Sequence, residues 1–203
     1  MKLIMAVLLV TLGVLFRTVW HLGPNVEFVT SATLLAGAYL GKKWAFIVPV
    51  SIMAISDLTL GNTNIFLFTW SAYLIIGLTG HQLLKDQKHP FGTFGKLSAS
   101  KLRTSRLNIK NNKIFKAMGI GIGASVWFFL WTNFGVWLLD SWGMYPKTIT
   151  GLIDAYIMGI PFLKYNLIGN LFLVPLSFLS VEILSSKLLP RRQAGKVRSF
   201  SLE

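Results

Sequence analysis

Residues 117–139 read AMGIGIGASVWFFLWTNFGVWLL, with Lys116 just before the run and Asp140 just after it. No charged residue interrupts these 23 positions. A helix of about 20 mostly apolar residues spans the ~30 Å hydrocarbon of a bilayer, so this run by itself predicts a membrane-crossing helix. Comparable runs lie at 3–19, 27–40, 44–60, 65–84 and 166–188, the second of them short. A further apolar stretch, 148–162, is too short to cross and carries Asp154.

Composition supports lipid as the solvent. Of 203 residues, 53% are hydrophobic and only 13% charged, and the mean hydropathy is +0.60. A soluble domain keeps roughly a quarter of its residues charged. The formal net charge is +13, from twenty Lys and Arg against seven Asp and Glu. In a soluble protein that excess would point to nucleic acid. Here the basic residues avoid the apolar runs and gather in a few connections, as a topology signal does. There is no cysteine, hence no disulfide framework, thiol nucleophile or Cys-ligated metal. The opening Met1-Lys2 and its apolar run could pass for a signal peptide, but no small-x-small cleavage site follows. Arg17-Thr18-Val19-Trp20 reads instead as a membrane-interface border, so a retained first helix is expected.

The expected fold is therefore an all-α membrane protein of six transmembrane helices. Placing the N-terminus inside puts Lys2, Lys42 and Lys43, the group from Lys85 to Lys116, Lys187, and the tail of Arg191, Arg192, Lys196 and Arg198 in the cytoplasm. Only Arg17, Lys147 and Lys164 fall outside, so seventeen of twenty basic residues are cytoplasmic and both termini are inside. A crossing at 148–162 would reverse the tail, so that segment is expected as a re-entrant or interfacial half-helix before the last helix. The expected organisation is one transmembrane domain over 1–190, interrupted by a basic cytoplasmic loop at about 86–113, with a basic tail over 191–203. Nine basic residues and one acid, Asp86, lie between 85 and 116. A cytoplasmic loop lying on anionic lipid headgroups is the expected reading of this charge, and nucleic acid is not.

Small residues four apart, Ala32 and Ala36, Gly37 and Gly41, Gly119 and Gly123, are spaced for close helix contact. The Gly119-x-Gly121-x-Gly123 run lacks the neighbouring Lys-Ser/Thr of a phosphate loop. On the expected topology Glu27, Asp57, Asp140 and Asp154 all come to the outer side, with Arg17, His21, Asn25, Asn133, Asn166, Asn170, Trp20, Trp70 and Trp137. Two readings compete for them. They are interfacial anchors, or they line a polar cavity opening outward. Asn133, Asn170 and Asp57 lie within or at the edge of apolar runs, where a buried amide or acid needs partners, and this favours the cavity. Catalysis lacks support. The three histidines are scattered, and no HExxH, GxSxG or Walker motif appears, so no enzyme activity, cofactor or metal is expected.

Three stretches carry a family likeness. Asn25 to Gly41 precedes the Lys42-Lys43 turn, and Pro49 leads to Asp57-Leu58-Thr59-Leu60-Gly61. Late in the chain, Ile160-Pro161-Phe162 with Asn166 and Gly169 enters the last helix. Together they resemble the substrate-binding S component of energy-coupling factor (ECF) transporters. With Tyr145-Pro146-Lys147-Thr148 and Gly151-Leu152, the chain also resembles a group of small bacterial membrane proteins related to S components. The resemblance implies residence in the bacterial cytoplasmic membrane and uptake of a vitamin or related micronutrient, bound from the outer side. It also implies a transmembrane coupling subunit and ATPase subunits as partners. The site is then expected at Glu27, Asp57, Asn133, Trp137, Asp154 and Asn166, with carboxylates and amides orienting the ligand and Trp137 stacking on a ring. Two other classes remain open: a non-transporting scaffold or assembly factor, and a self-sufficient secondary carrier using Asp57 or Glu182 as proton relay.

Overall fold

Apolar runs with few breakers become helices, and the described residues hold six of them and no strand. The computed structural model describes residues 2–20, 23, 25–61, 64–85, 99–140 and 143–188, with the backbone alone at 99–111 and 185–188. In chain order the helices are α1 Lys2–Thr18, α2 Val29–Leu35, α3 Lys42–Leu60, α4 Phe66–Leu84, α5 Ala99–Leu139 and α6 Ile149–Leu188. The backbone of α2 continues as a π-helical turn, Ala36–Leu40, and stops at Gly41, whose φ of 107° favours glycine. Three stretches, Lys42–Leu60, Asn112–Leu139 and Ile149–Leu184, are long and apolar enough to cross a membrane. The 86–98 part of the basic loop and the 191–203 tail lie outside the described residues.

The short helix α2 is the centre of the bundle. Every residue from Val29 to Leu40 is buried, against neighbours from each of the other five helices. Small side chains permit the close approach. A Cβ on Gly77 of α4 would run into the Ala45 carbonyl oxygen of α3 and the Thr33 methyl of α2, and one on Gly80 would run into Leu34. Gly37 lies equally close to the backbone of Gly77 and His81. Spacing alone misplaced one seam. Gly119 and Gly123 are exposed with nothing beside them, and Gly121 is the residue of that run that meets the neighbouring helix, at Val174.

Helices α5 and α6 form a long antiparallel hairpin, 41 and 40 residues, each about 60 Å at about 1.5 Å per residue. Two expectations are corrected here. The stretch 148–162 is not a separate half-helix, because residues from 149 onward run without a break into α6 through Pro161 and Pro175. Pro161 removes one N–H from the helix ladder, but the turns just before it stay pinned to α5. Tyr156 donates its hydroxyl to the Leu130 carbonyl at 3.1 Å and its ring packs 5.6 Å from Phe129, while Gly159 lies against Asn133. Likewise residues 99–113 of the expected loop are the first turns of α5.

Helix α1 runs parallel to α3, since Gly13 meets Ile52 and, one turn on, Arg17 meets Ser56 and Asp57. The C-terminal ends of α1 and α3 thereby reach the same level as the start of α4 and the middle of α6. That level is where the polar residues collect.

Candidate functional site

Arg17 closes α1 with its side chain buried, 9% exposed. Its Nη1 donates to Asp57 Oδ1 at 2.8 Å and to Ser56 Oγ at 2.6 Å, and it lies 3.3 Å from Met53 Sδ. Its Nε is 3.2 Å from Glu27 Oε2, an ion pair without the alignment of a hydrogen bond. Ser56 is free to accept because its own proton goes back to the Ile52 carbonyl, 2.6 Å away. The second Asp57 oxygen accepts from Trp70 Nε1 of α4 at 2.8 Å. One guanidinium thus gathers two carboxylates, a hydroxyl and, through Asp57, an indole. Charge-assisted bonds of this kind are about twice as strong as neutral ones. Removing one partner of such a buried group costs about 3–5 kcal/mol.

An amide relay lies beside it. Asn170 is 2% exposed, and its Nδ2 stands 2.8 Å from Ser125 Oγ, 3.1 Å from Asn166 Oδ1 and 3.3 Å from Thr30 Oγ1. With two hydrogens it serves two of the three at a time. Thr30, at the first turn of α2, is also hydrogen-bonded to the buried Tyr73 of α4. Asn166 Nδ2 donates to the Asn25 carbonyl at 3.1 Å. Asn25 sits at φ 56°, a left-handed conformation that asparagine tolerates better than most residues, and this bend precedes Glu27. Val26 packs on Gly169, so the α1–α2 connection is seated on α6 directly over the relay.

Of the six residues expected to form a site, the structure brings together Glu27, Asp57 and Asn166. It leaves three elsewhere. Asn133 faces α6 at Gly159 and donates to the Phe129 carbonyl of its own helix at 2.8 Å. Trp137 stands in the last turn of α5, where its Nε1 donates to the Pro146 carbonyl at 3.1 Å and Lys147 Nζ bonds the Trp137 and Leu138 carbonyls. Asp154 is exposed on α6. The cluster adds Arg17, Ser56, Trp70, Tyr73, Thr30, Ser125 and Asn170 to the three that converge. An arginine ending an apolar run, and Asn166 and Asn170 four apart on one helix face, were the available signals. Among the described residues no group of three His, Asp or Glu side chains is placed to hold a metal ion.

The arrangement is a set of fixed donors and acceptors of both charges, aimed at one another from α1, α2, α3, α4, α5 and α6. Over residues 1–194 the chain matches a family of unknown function (DUF6580), and it belongs to that family. No curated protein and no solved structure matches it.

Proposed function

We propose that this member of the DUF6580 family is a multi-pass membrane protein that binds a small polar organic molecule at the Arg17 cluster. In this reading the chain crosses six times with both termini inside. It serves as the substrate-binding, S component-like subunit of an ECF-type transporter, importing a vitamin or related micronutrient together with a transmembrane coupling subunit and ATPase subunits. The observation that carries it is the convergence of Arg17, Glu27, Asp57, Asn166 and Asn170 in an otherwise apolar bundle. Ionisable groups at membrane depth are costly and mark ligand or ion pathways. The resemblance in sequence to S components supplies the transporter class.

Glu27 is the natural point of entry. Its side chain keeps 22% exposure against 8% for Arg17 and 6% for Asp57, and it stands on the connection before α2 rather than on a helix. A ligand that displaced this connection would meet Arg17, Asp57, Trp70 and Asn166 together, exchanging internal hydrogen bonds for bonds to itself. The test is a thermal-shift screen of the purified protein against water-soluble vitamins and related heterocycles. A compound that raises the unfolding temperature of the parent protein and not of Asp57→Ala supports the reading. A stabilising compound that acts equally on Asp57→Ala and Asn166→Ala removes the site.

One observation favours a second reading. The cluster's groups already satisfy one another, as a structural device would. A non-transporting scaffold would use the same network to fix helix positions, and stable capture of an envelope complex with no small molecule would decide for it.

A further inference from the structure

A guanidinium offers five N–H donors in a fixed planar array, and the hydrogen bonds of Arg17 to the described residues all leave from one corner of it. Nη1 donates to Asp57 Oδ1 at 2.8 Å and to Ser56 Oγ at 2.6 Å, and lies 3.3 Å from Met53 Sδ. Along the side edge, Nε–H and one Nη2–H point the same way, a fork made for two parallel bonds. On that edge the buried Nε has no hydrogen-bond acceptor. The side chain is only 8% exposed, so a charged donor is held nearly out of water with nothing aligned to receive it. Such a group is costly in an apolar interior.

Glu27 faces this edge and fits it badly, since its Oε2 stands 3.2 Å from Nε without lining up. The two carboxylates beside Arg17 are held unequally. Asp57 is anchored on α3 with its side chain 6% exposed, and it accepts from Trp70 Nε1 at 2.8 Å as well as from Arg17. Glu27 stands on the connection before α2 with its side chain 22% exposed, and its carboxylate makes no hydrogen bond to another described residue. One carboxylate is built in and the other is replaceable. A carboxylate arriving from outside adds no net charge beside Arg17, because Glu27 leaves with its own. Aromatic rings border the place. Phe28, next to Glu27, packs 5.6 Å from Phe16, and Phe16 meets Trp20 edge-on at 5.6 Å.

We propose that the molecule received by the Arg17 cluster is an organic acid, whose carboxylate replaces Glu27 on the Nε–Nη2 edge of Arg17 while Asp57 and Ser56 keep Nη1 in place. This rests on the ligand-binding reading of the cluster and adds the chemistry of what binds. Glu27 is an internal stand-in for the ligand's carboxylate, and the neighbouring rings suit a flat apolar body. The exchange swaps one ion pair for another and makes no covalent bond. The gain comes from two aligned charge-assisted bonds where Glu27 makes none.

Benzoate is the probe, with benzamide and benzylamine as ring-matched compounds that lack the anion. Each is titrated at constant ionic strength and about pH 7 against the full-length protein in mild detergent, and the unfolding temperature is read. Glu27→Ala removes the stand-in and leaves the pair of Arg17 and Asp57 intact. Glu27→Gln, of the same size but uncharged, takes its place if Glu27→Ala does not fold. Benzoate should stabilise the Glu27 variant at a half-saturating concentration roughly tenfold below that of the parent protein. Benzamide and benzylamine should leave both unchanged. Adding Arg17→Lys keeps the net charge but removes the planar edge, and the response to benzoate should disappear. Equal responses to benzoate and benzamide overturn the proposal. So does equal half-saturation with and without Glu27, or a response that survives Arg17→Lys, because the other basic residues then explain it. A neutral or cationic compound that stabilises the parent and not Asp57→Ala overturns the acid while the binding site stands. The expected benzoate pattern in a protein that co-purifies with no small molecule supports the carboxylate edge and removes the transport reading instead.

Discussion

Arg17 is the residue on which the account turns, because one cation holds two carboxylates at 2.8 and 3.2 Å in the interior. Replacing it by Met leaves Glu27 and Asp57 facing each other in an apolar setting. The expected loss is about 3–5 kcal/mol of unfolding free energy, measured by denaturant titration in mixed micelles. Adding Glu27→Gln to Arg17→Met should recover part of that loss, as one of the two unpaired charges is gone. Trp70→Phe removes only the indole donor to Asp57, and about 1–2 kcal/mol is expected. That these polar residues gather toward one end of the bundle was legible in the sequence, because lysine and arginine placement set the depth of each apolar run. Which face each one occupies was not. Asn133 and Asn170 look alike in the sequence, each an amide inside an apolar stretch. Packing sends the first toward Gly159 and the second toward Thr30 and Ser125. Trp137, in the last turn of α5, and Asp154, in the second turn of α6, share that end of the bundle with the cluster but lie nearer the α5–α6 connection.

Helices were legible for the same reason, since an apolar run without breakers has one low-energy backbone in lipid. What hydropathy could not show was continuity. Pro161 and the acid at 154 make 148–162 look like an interrupted segment, whereas contacts with α5 carry α6 straight through it. Spin labels at positions 149 and 165, introduced as the chain's only cysteines, should give a backbone separation of about 24 Å, the length of sixteen helical residues. A segment folded back at Pro161 would give a much shorter one. Glycine contrasts test the packing of α2. Gly77→Ala forces a methyl into the Ala45 carbonyl and should cost about 1–3 kcal/mol. Gly119→Ala, on an exposed helical face, should be neutral or stabilise by up to about 1 kcal/mol. Equal effects would mean that α2 is not the tight centre of the bundle.

Across the whole molecule, charge and polarity divide between two ends. Lys2, Lys42, Lys43, Lys85, Lys113 and Lys116 stand with Glu182 at one, and Arg17, Lys147 and Lys164 stand with Glu27, Asp57, Asp140 and Asp154 at the other. Under the proposed six crossings the first end is cytoplasmic. Lys43→Cys should then react with impermeant maleimide only from the inside, and Lys147→Cys only from the outside. The central claim is that the Arg17 cluster receives a small molecule, and native mass spectrometry of the protein purified in mild detergent tests it most directly. The account predicts a discrete co-purifying mass that persists in Asn133→Ala and Asp154→Ala and is lost in Asp57→Ala and Asn166→Ala. A bound mass that survives loss of Asp57 and Asn166, or one that disappears with Asp154, contradicts it.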